Sequence, residues 1–185
     1  MSKPVLLVID MVNDYFRDGP LYDQRATLTK LINQLVSYFR ENELPIIWVR
    51  QEFSPDLRDA FPEMRRDRIR ITIKGTQGAK ILEELERSPK DYEIIKKRYS
   101  AFFQTQLDNL LQENDWNPIV LAGVNTHACI RMTAIDAYQR DLEVIVAEDC
   151  IGSYDTEHHR ITLNYLEGKI AEVLPNVEIR KQLSA

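Results

Sequence analysis

Short, continuous apolar runs alternate along this chain with stretches whose apolar residues return every three or four positions. The first run covers residues 4–8, continues through Ile9 and stops at the carboxylate of Asp10. Residues 11–16 read as a loop, and Gly19-Pro20 as a turn. Leu28, Leu31, Ile32, Leu35, Val36 and Phe39 then fall on one helical stripe. A second run, Ile46, Ile47, Trp48 and Val49, ends at Arg50 and Gln51. These runs do not alternate apolar with polar, as a half-exposed strand would. They predict parallel strands covered on both faces and joined by helices.

The pattern lapses over residues 52–70, which are rich in charge and carry Pro55 and Pro62. A long loop with short helical pieces is expected, and loops of that length in compact domains tend to be functional. Ile69, Ile71 and Ile73 alternate, which suggests a small peripheral strand. Ile81, Leu82 and Leu85 suggest a short helix before Pro89. Residues 92–95 predict a third strand running into Lys96 and Lys97, and Leu107, Leu110 and Leu111 a helix after it. Residues 119–122 predict the fourth strand. Beyond Gly123, the residues Ala128, Met132, Ile135 and Tyr138 mark the apolar face of another helix. Residues 142–146 predict a fifth strand, with 147–152 as the loop beyond it. Ile161, Leu163, Leu166, Ile170, Ala171 and Val173 predict one long last helix, and Val177 with Ile179 a sixth strand. The expectation is a single domain over residues 1–185, a three-layer α/β/α sandwich around a mostly parallel sheet of about six strands.

Composition removes several classes of function. The 185 residues are 44% hydrophobic and 29% charged, the balance of an ordinary globular domain. A net charge of -5 gives no support for nucleic-acid binding, which calls for a basic face. The apolar run at residues 5–9 is too short for a signal peptide or a membrane span. Two cysteines do not make a disulfide framework, so both are expected to be reduced thiols in a cytoplasmic protein.

Three polar groups end, or nearly end, apolar strands: Asp10, Lys96 or Lys97, and Cys129 just past the fourth. Ligands of open parallel sheets sit outside the carboxyl ends of the strands, so these groups are candidates to meet there. A thiol in a first helical turn sits where the helix dipole favours negative charge, which lowers its pKa and makes a nucleophile. Asp10 is placed to take the thiol proton, and a lysine ammonium favours thiolate and carboxylate alike. The backbone N–H groups of Asn125 and Cys129 would face a developing oxyanion, each such donor worth roughly 3 kcal/mol in the transition state. Blander readings stand beside these: a buried thiol as apolar filler, the aspartate as a cap, the lysine in solvent.

The segments VLLVIDMVNDYF, IIKKRYSAFF and AGVNTHAC, in that order, resemble the signatures of the isochorismatase-like cysteine hydrolases. That superfamily includes nicotinamidases, N-carbamoylsarcosine amidohydrolases and ureidoacrylate amidohydrolases. The resemblance implies an Asp–Lys–Cys triad that cleaves small amides through a thioester, with Asp10, Lys96 and Cys129 in those roles. It favours Lys96 over Lys97, and it places a cis peptide at Val124–Asn125. It implies a homo-oligomer, dimer or tetramer, acting on a small amide or ureido substrate. Nicotinamidases of this kind carry an Asp-x-His pair after the second strand to bind a metal. Here the region reads RQEFSPD and no histidine precedes His127, so neither metal nor other cofactor is expected. Isochorismatases proper lack the cysteine. What remains is an amidase or ureido-type hydrolase, with a non-catalytic ligand-binding or interaction member of the same fold as the alternative. Phe16, Arg50, Gln51, Glu52, Phe53, Tyr99 and Phe102 lie in loops beyond the strand ends and are the candidate substrate contacts. His158 and His159 point different ways on a helix and read as surface or subunit-interface residues, and Cys150 as buried packing.

Overall fold

The computed structural model describes residues 3–184. Six strands, β1 (Lys3–Ile9), β2 (Ile46–Gln51), β3 (Tyr92–Lys96), β4 (Trp116–Val124), β5 (Val144–Gly152) and β6 (Glu172–Leu174), form one parallel sheet in the order β3-β2-β1-β4-β5-β6. Alternation along each strand divides the apolar side chains between two layers. Leu6, Val8, Trp48, Val120 and Ile145 meet Leu28, Ile32, Leu35, Val36 and Phe39 of α1 (Gly19–Glu41), together with Ile179 of α6 (Asn176–Leu183). Val5, Leu7, Val49, Ile94, Leu121 and Val146 meet α3 (Leu107–Asn114), α4 (Arg131–Tyr138) and α5 (Thr156–Leu166) on the other face. This is the three-layer arrangement that the continuous apolar runs predict. Among the described residues, no helix is long and apolar enough to cross a membrane.

Several elements differ from the pattern, each for a local reason. Gly19-Pro20 opens α1 instead of making a turn, since a proline in the first helical turn has no N–H to leave unpaired. The alternating Ile69, Ile71 and Ile73 form no strand; only Ile73 bridges to Phe53. Ile81, Leu82 and Leu85 are buried against α1 from an irregular segment, without a helix. Residues 147–152 belong to β5, which slips its register against β4 there and continues to Gly152. The last long helix stops at Leu166, the chain turns at Gly168 (φ +70), and β6 takes up Val173. The segment holding Val177 and Ile179 is helical: α6 buries Ile179 and leaves Val177 exposed. Two apolar residues two apart do not distinguish strand from helix.

The helix after β4 packs on the face opposite to the one expected. Ile130, Thr133, Ala134 and Ala137, also spaced for a helix, are the buried set, whereas Met132 and Tyr138 are 40% and 47% exposed. Small side chains let the helix lie close against the sheet, and the larger ones are left facing outward.

Residues 52–74 form an ordered cap with its own apolar centre of Phe53, Leu57, Ala60, Met64 and Ile73. It contains α2 (Pro62–Asp67). Asp59 ties it down by accepting from Ser54 N and Oγ (2.8 and 2.9 Å) and pairing with Lys97 (3.1 Å). Asp14 accepts from Thr72 N at 2.7 Å and fixes the far end.

The carboxyl ends of β1 and β4 approach each other closely at Gly123. That residue has φ +112, and a Cβ there would land on the carbonyl oxygen of Ile9. Gly123→Ala is therefore expected to cost about 4 kcal/mol or more, or to prevent folding, read by urea denaturation; a stability near wild type would contradict this packing.

Candidate active site

The strand order reverses at β1: the chain moves outward to β2 and β3, then returns to place β4 on the other side. Such a switch point leaves a crevice outside the strand ends. Asp10 stands there, just past β1, with φ +56 and its backbone N–H donating to Val49 O at 2.7 Å. A short polar side chain tolerates this left-handed geometry better than an apolar one does. Cys129 arrives from the opposite side, in the single π turn (Thr126–Ile130) that leads from β4 into α4. The peptide bond Val124–Asn125 before that turn is cis.

Lys96 ends β3, two strands away from β1. That separation is about 10 Å at ~4.8 Å per strand, and the long lysine side chain and the Asp10 carboxylate close it from opposite sides. Asp10 and Lys96 are both fully buried, with Nζ 2.6 Å from Asp10 Oδ2. The same ammonium donates to Cys129 Sγ at 3.3 Å and to Arg98 O at 3.1 Å. Three partners account for its three donors. Lys97 points the other way, toward Asp59 and Glu52 O, so strand alternation selects one lysine of the pair. Asp10 Oδ1 accepts from Gln51 N at 2.6 Å, while Oδ2 has no further hydrogen-bond partner.

These contacts determine where the protons rest. Burial pushes the Cys129 thiol up to about 12; Lys96 pulls it down, and Asp10 adds to the rise. The thiol is therefore protonated in the resting protein, contrary to the lowered pKa expected from its place at a helix start. Burial lowers the lysine, but attraction to Asp10 and Cys129 outweighs it and the net shift is upward, so the ammonium stays charged.

A cleft of about 670 Å³ opens over Cys129. Gln51, Phe53 and Tyr99 line it, as do Asn125 and Cys129. Four other candidate contacts lie elsewhere. Phe16 is fully buried against α1, and Phe102 is buried in the opposite core layer with the Arg140 guanidinium over its ring. Arg50 pairs with Glu52 at 2.6 Å and Glu93 at 2.8 Å, and both Arg50 and Glu52 face a separate surface hollow. Arg50 sits one position from Gln51, so the pleat sends the two side chains to opposite sides.

Gln51 is nearly buried, and its Oε1 accepts from the Tyr15 hydroxyl at 2.5 Å. Burial first, then the Asp10 charge, holds the Tyr15 pKa well above the usual phenol value, which keeps it a donor. Gln51 lines the cleft, and its buried Nε2 is left without a partner among the described residues. Other lining residues escaped the sequence reading: Tyr15 from an assumed loop, Phe61, Met64, Ile69 and Ile71 from the cap, Met132 and Ile135 from the outer face of α4. The alternation of Ile69 and Ile71 was a usable signal, though it marks a wall and not a strand.

All three histidines gather at the rim. His127 Nδ1 lies 2.7 Å from Ser153 Oγ, its ring packs against Tyr154, and His158 pairs with Asp155 at 2.7 Å. His159 turns inward to Thr126 Oγ1 at 2.9 Å. Cys150 is buried and contacts Asn176 Oδ1 at 3.2 Å.

Residues 4–176 match the Isochorismatase domain family. A probable inactive nicotinamidase of Arabidopsis thaliana is 34% identical over 172 residues, covering 89% of this chain and 87% of that protein. An isochorismatase family protein from Desulfovibrio vulgaris superposes with a TM-score of 0.91 at 25% identity, covering 100% of both chains. The N-carbamoylsarcosine amidase of Thermoplasma acidophilum gives 0.79 at 31% identity, covering 94% of this chain and 96% of its own. With the domain matched over nearly its whole length and its sheet superposed on solved relatives, this chain belongs to the isochorismatase-like hydrolase family.

Proposed function

We propose that this protein is a cysteine amidohydrolase that cleaves the C–N bond of an amide, carbamoyl or ureido compound through a thioester. The observation that carries this reading is the buried contact set in which one ammonium touches both a carboxylate, at 2.6 Å, and a thiol, at 3.3 Å. Burial keeps Cys129 protonated at rest, so the nucleophile must form as it attacks. Sγ bonds to the substrate carbonyl carbon while its proton passes to Asp10, whose Oδ2 has acceptor capacity to spare. Lys96 stabilises the developing charge on sulfur and stays an ammonium throughout. The backbone N–H groups of Asn125 and Cys129 are assigned to the oxyanion. Asp10 then returns the proton to the leaving nitrogen, and ammonia or an amine departs. Water attacks the thioester, Asp10 takes one of its protons, and that proton restores the thiol as the acid leaves. Gln51 Nε2 offers the substrate a donor that the protein itself does not use.

The N-carbamoylsarcosine amidase relative supports the class of reaction. A second reading, a ligand-binding protein without turnover, is favoured by the similarity to the probable inactive nicotinamidase of Arabidopsis thaliana. Turnover decides between them.

Cys129→Ala is expected to abolish ammonia release from a panel of amides and ureides while the circular dichroism spectrum is unchanged; full activity in this variant would sink the mechanism. Alkylation of Cys129 by iodoacetamide, followed by mass spectrometry, should accelerate steadily between about pH 7 and pH 9, because the thiol ionises only at high pH. A plateau reached by neutral pH would mean a resting thiolate instead. Lys96→Met strands a buried carboxylate and should cost roughly 3–5 kcal/mol in urea denaturation, with much of that recovered when Asp10→Asn is added. Equal stabilities for the single and double variants would argue against the ion pair.

A further inference from the structure

Only part of the cleft is needed for an amide group. A volume of about 670 Å³ lies within the range of sites that enclose whole drug-sized ligands. Its walls are apolar on both sides. The cap contributes Phe61, Met64, Ile69 and Ile71, and the outward face of α4 contributes Met132 and Ile135. Ile69, Ile71 and Met132 are 38%, 36% and 40% exposed, and all three converge on the cleft. Single exposed apolar residues need no explanation, but a group of them lining one hollow over a reactive thiol marks a ligand surface. The cap wall is backed by the Phe53–Leu57–Ala60–Met64–Ile73 cluster, so it is a built surface and not a loose loop.

The cleft offers no excess of positive charge for a second anionic group on the substrate. Its lining carries one full charge of each sign, the guanidinium of Arg131, which also lies 4.7 Å over the Tyr165 ring of α5, and the carboxylate of Glu63. The end of the cleft at Cys129 also has Gln51 in the lining, whose buried Nε2 makes no hydrogen bond among the described residues. The polar part of the substrate belongs at that end and its apolar part between the walls.

Resting on the hydrolase reading above, we infer that the substrate is an amide of an apolar acid, whose hydrocarbon acyl arm lies between the cap and α4. The arm is placed on the acyl side because that part stays bonded to Cys129 after the amine has left. Wall contacts made by the acyl group therefore last through both half-reactions.

The test is ammonia release by the wild-type protein from primary amides lengthening from acetamide to hexanamide. A six-carbon amide ending in a carboxylate serves as the polar match. The kcat/KM should rise by about two- to fourfold per methylene, hexanamide exceeding acetamide by at least about tenfold and the carboxylate analogue by a similar factor. Met132→Glu and Ile71→Glu, both at partly exposed positions, should flatten this slope, whereas Val177→Glu, on the exposed side of α6, should leave the slope as it was. A flat or inverted series with Cys129-dependent turnover overturns the apolar arm and leaves the hydrolase reading standing. Binding of the same amides to the Cys129→Ala protein provides a measurement independent of turnover. Tighter binding with length but no wild-type hydrolysis would keep the cleft assignment and overturn the hydrolase reading; no length dependence in either measurement overturns the inference.

Discussion

A lysine ammonium buried without solvent contact is the constraint on which the rest of this structure depends. Removing such a charge from water costs several kcal/mol, and only close, well-directed partners offset it. Lys96 has three: the carboxylate after β1, the thiol after β4 and the carbonyl of Arg98. Those partners come from three separate parts of the chain. The sheet must therefore be assembled in its full order, with the switch point between β1 and β4, before the ammonium is satisfied.

The same burial shapes the chemistry. A low-dielectric site strengthens each charge interaction, and burial raises the thiol. The Asp10 carboxylate takes a backbone hydrogen bond on one oxygen only. Gln51 N donates to Oδ1, and Oδ2 meets the lysine ammonium. Gln51 thus shapes the site twice: its backbone N–H holds the acid, and its side chain accepts from Tyr15 and lines the cleft.

Above this polar floor the walls are hydrocarbon, and they come from segments with little else in common. The cap is a charged stretch with an apolar centre of five side chains, two of which, Phe53 and Met64, line the cleft together with Phe61, Ile69 and Ile71. The opposing wall exists because α4 buries its alanines and threonine fully and leaves Met132 exposed and Ile135 half-buried at the edge of the core, both lining the cleft. A helix that buried its largest side chains would leave no such wall. Packing on the sheet and the character of the cleft are thus two results of one choice of helix face.

The amino-acid sequence alone determined the parallel, doubly covered sheet, because strands buried on both faces must be apolar throughout. It also determined that Asp10, a lysine and Cys129 end up near strand termini. Strand alternation together with family resemblance then singled out Lys96. The tertiary structure decided what short or two-faced patterns leave open. Val177 and Ile179 are too few to show a period, and the helix around Met132 carries two stripes of valid spacing, of which the flatter one suited the sheet. Arg50 and Gln51 are neighbours in sequence, yet the pleat sends one to a surface salt-bridge network and the other to the cleft. The protonation of Cys129 was likewise beyond sequence, since a helix start favours a thiolate and only the depth of burial in the assembled core reverses that preference.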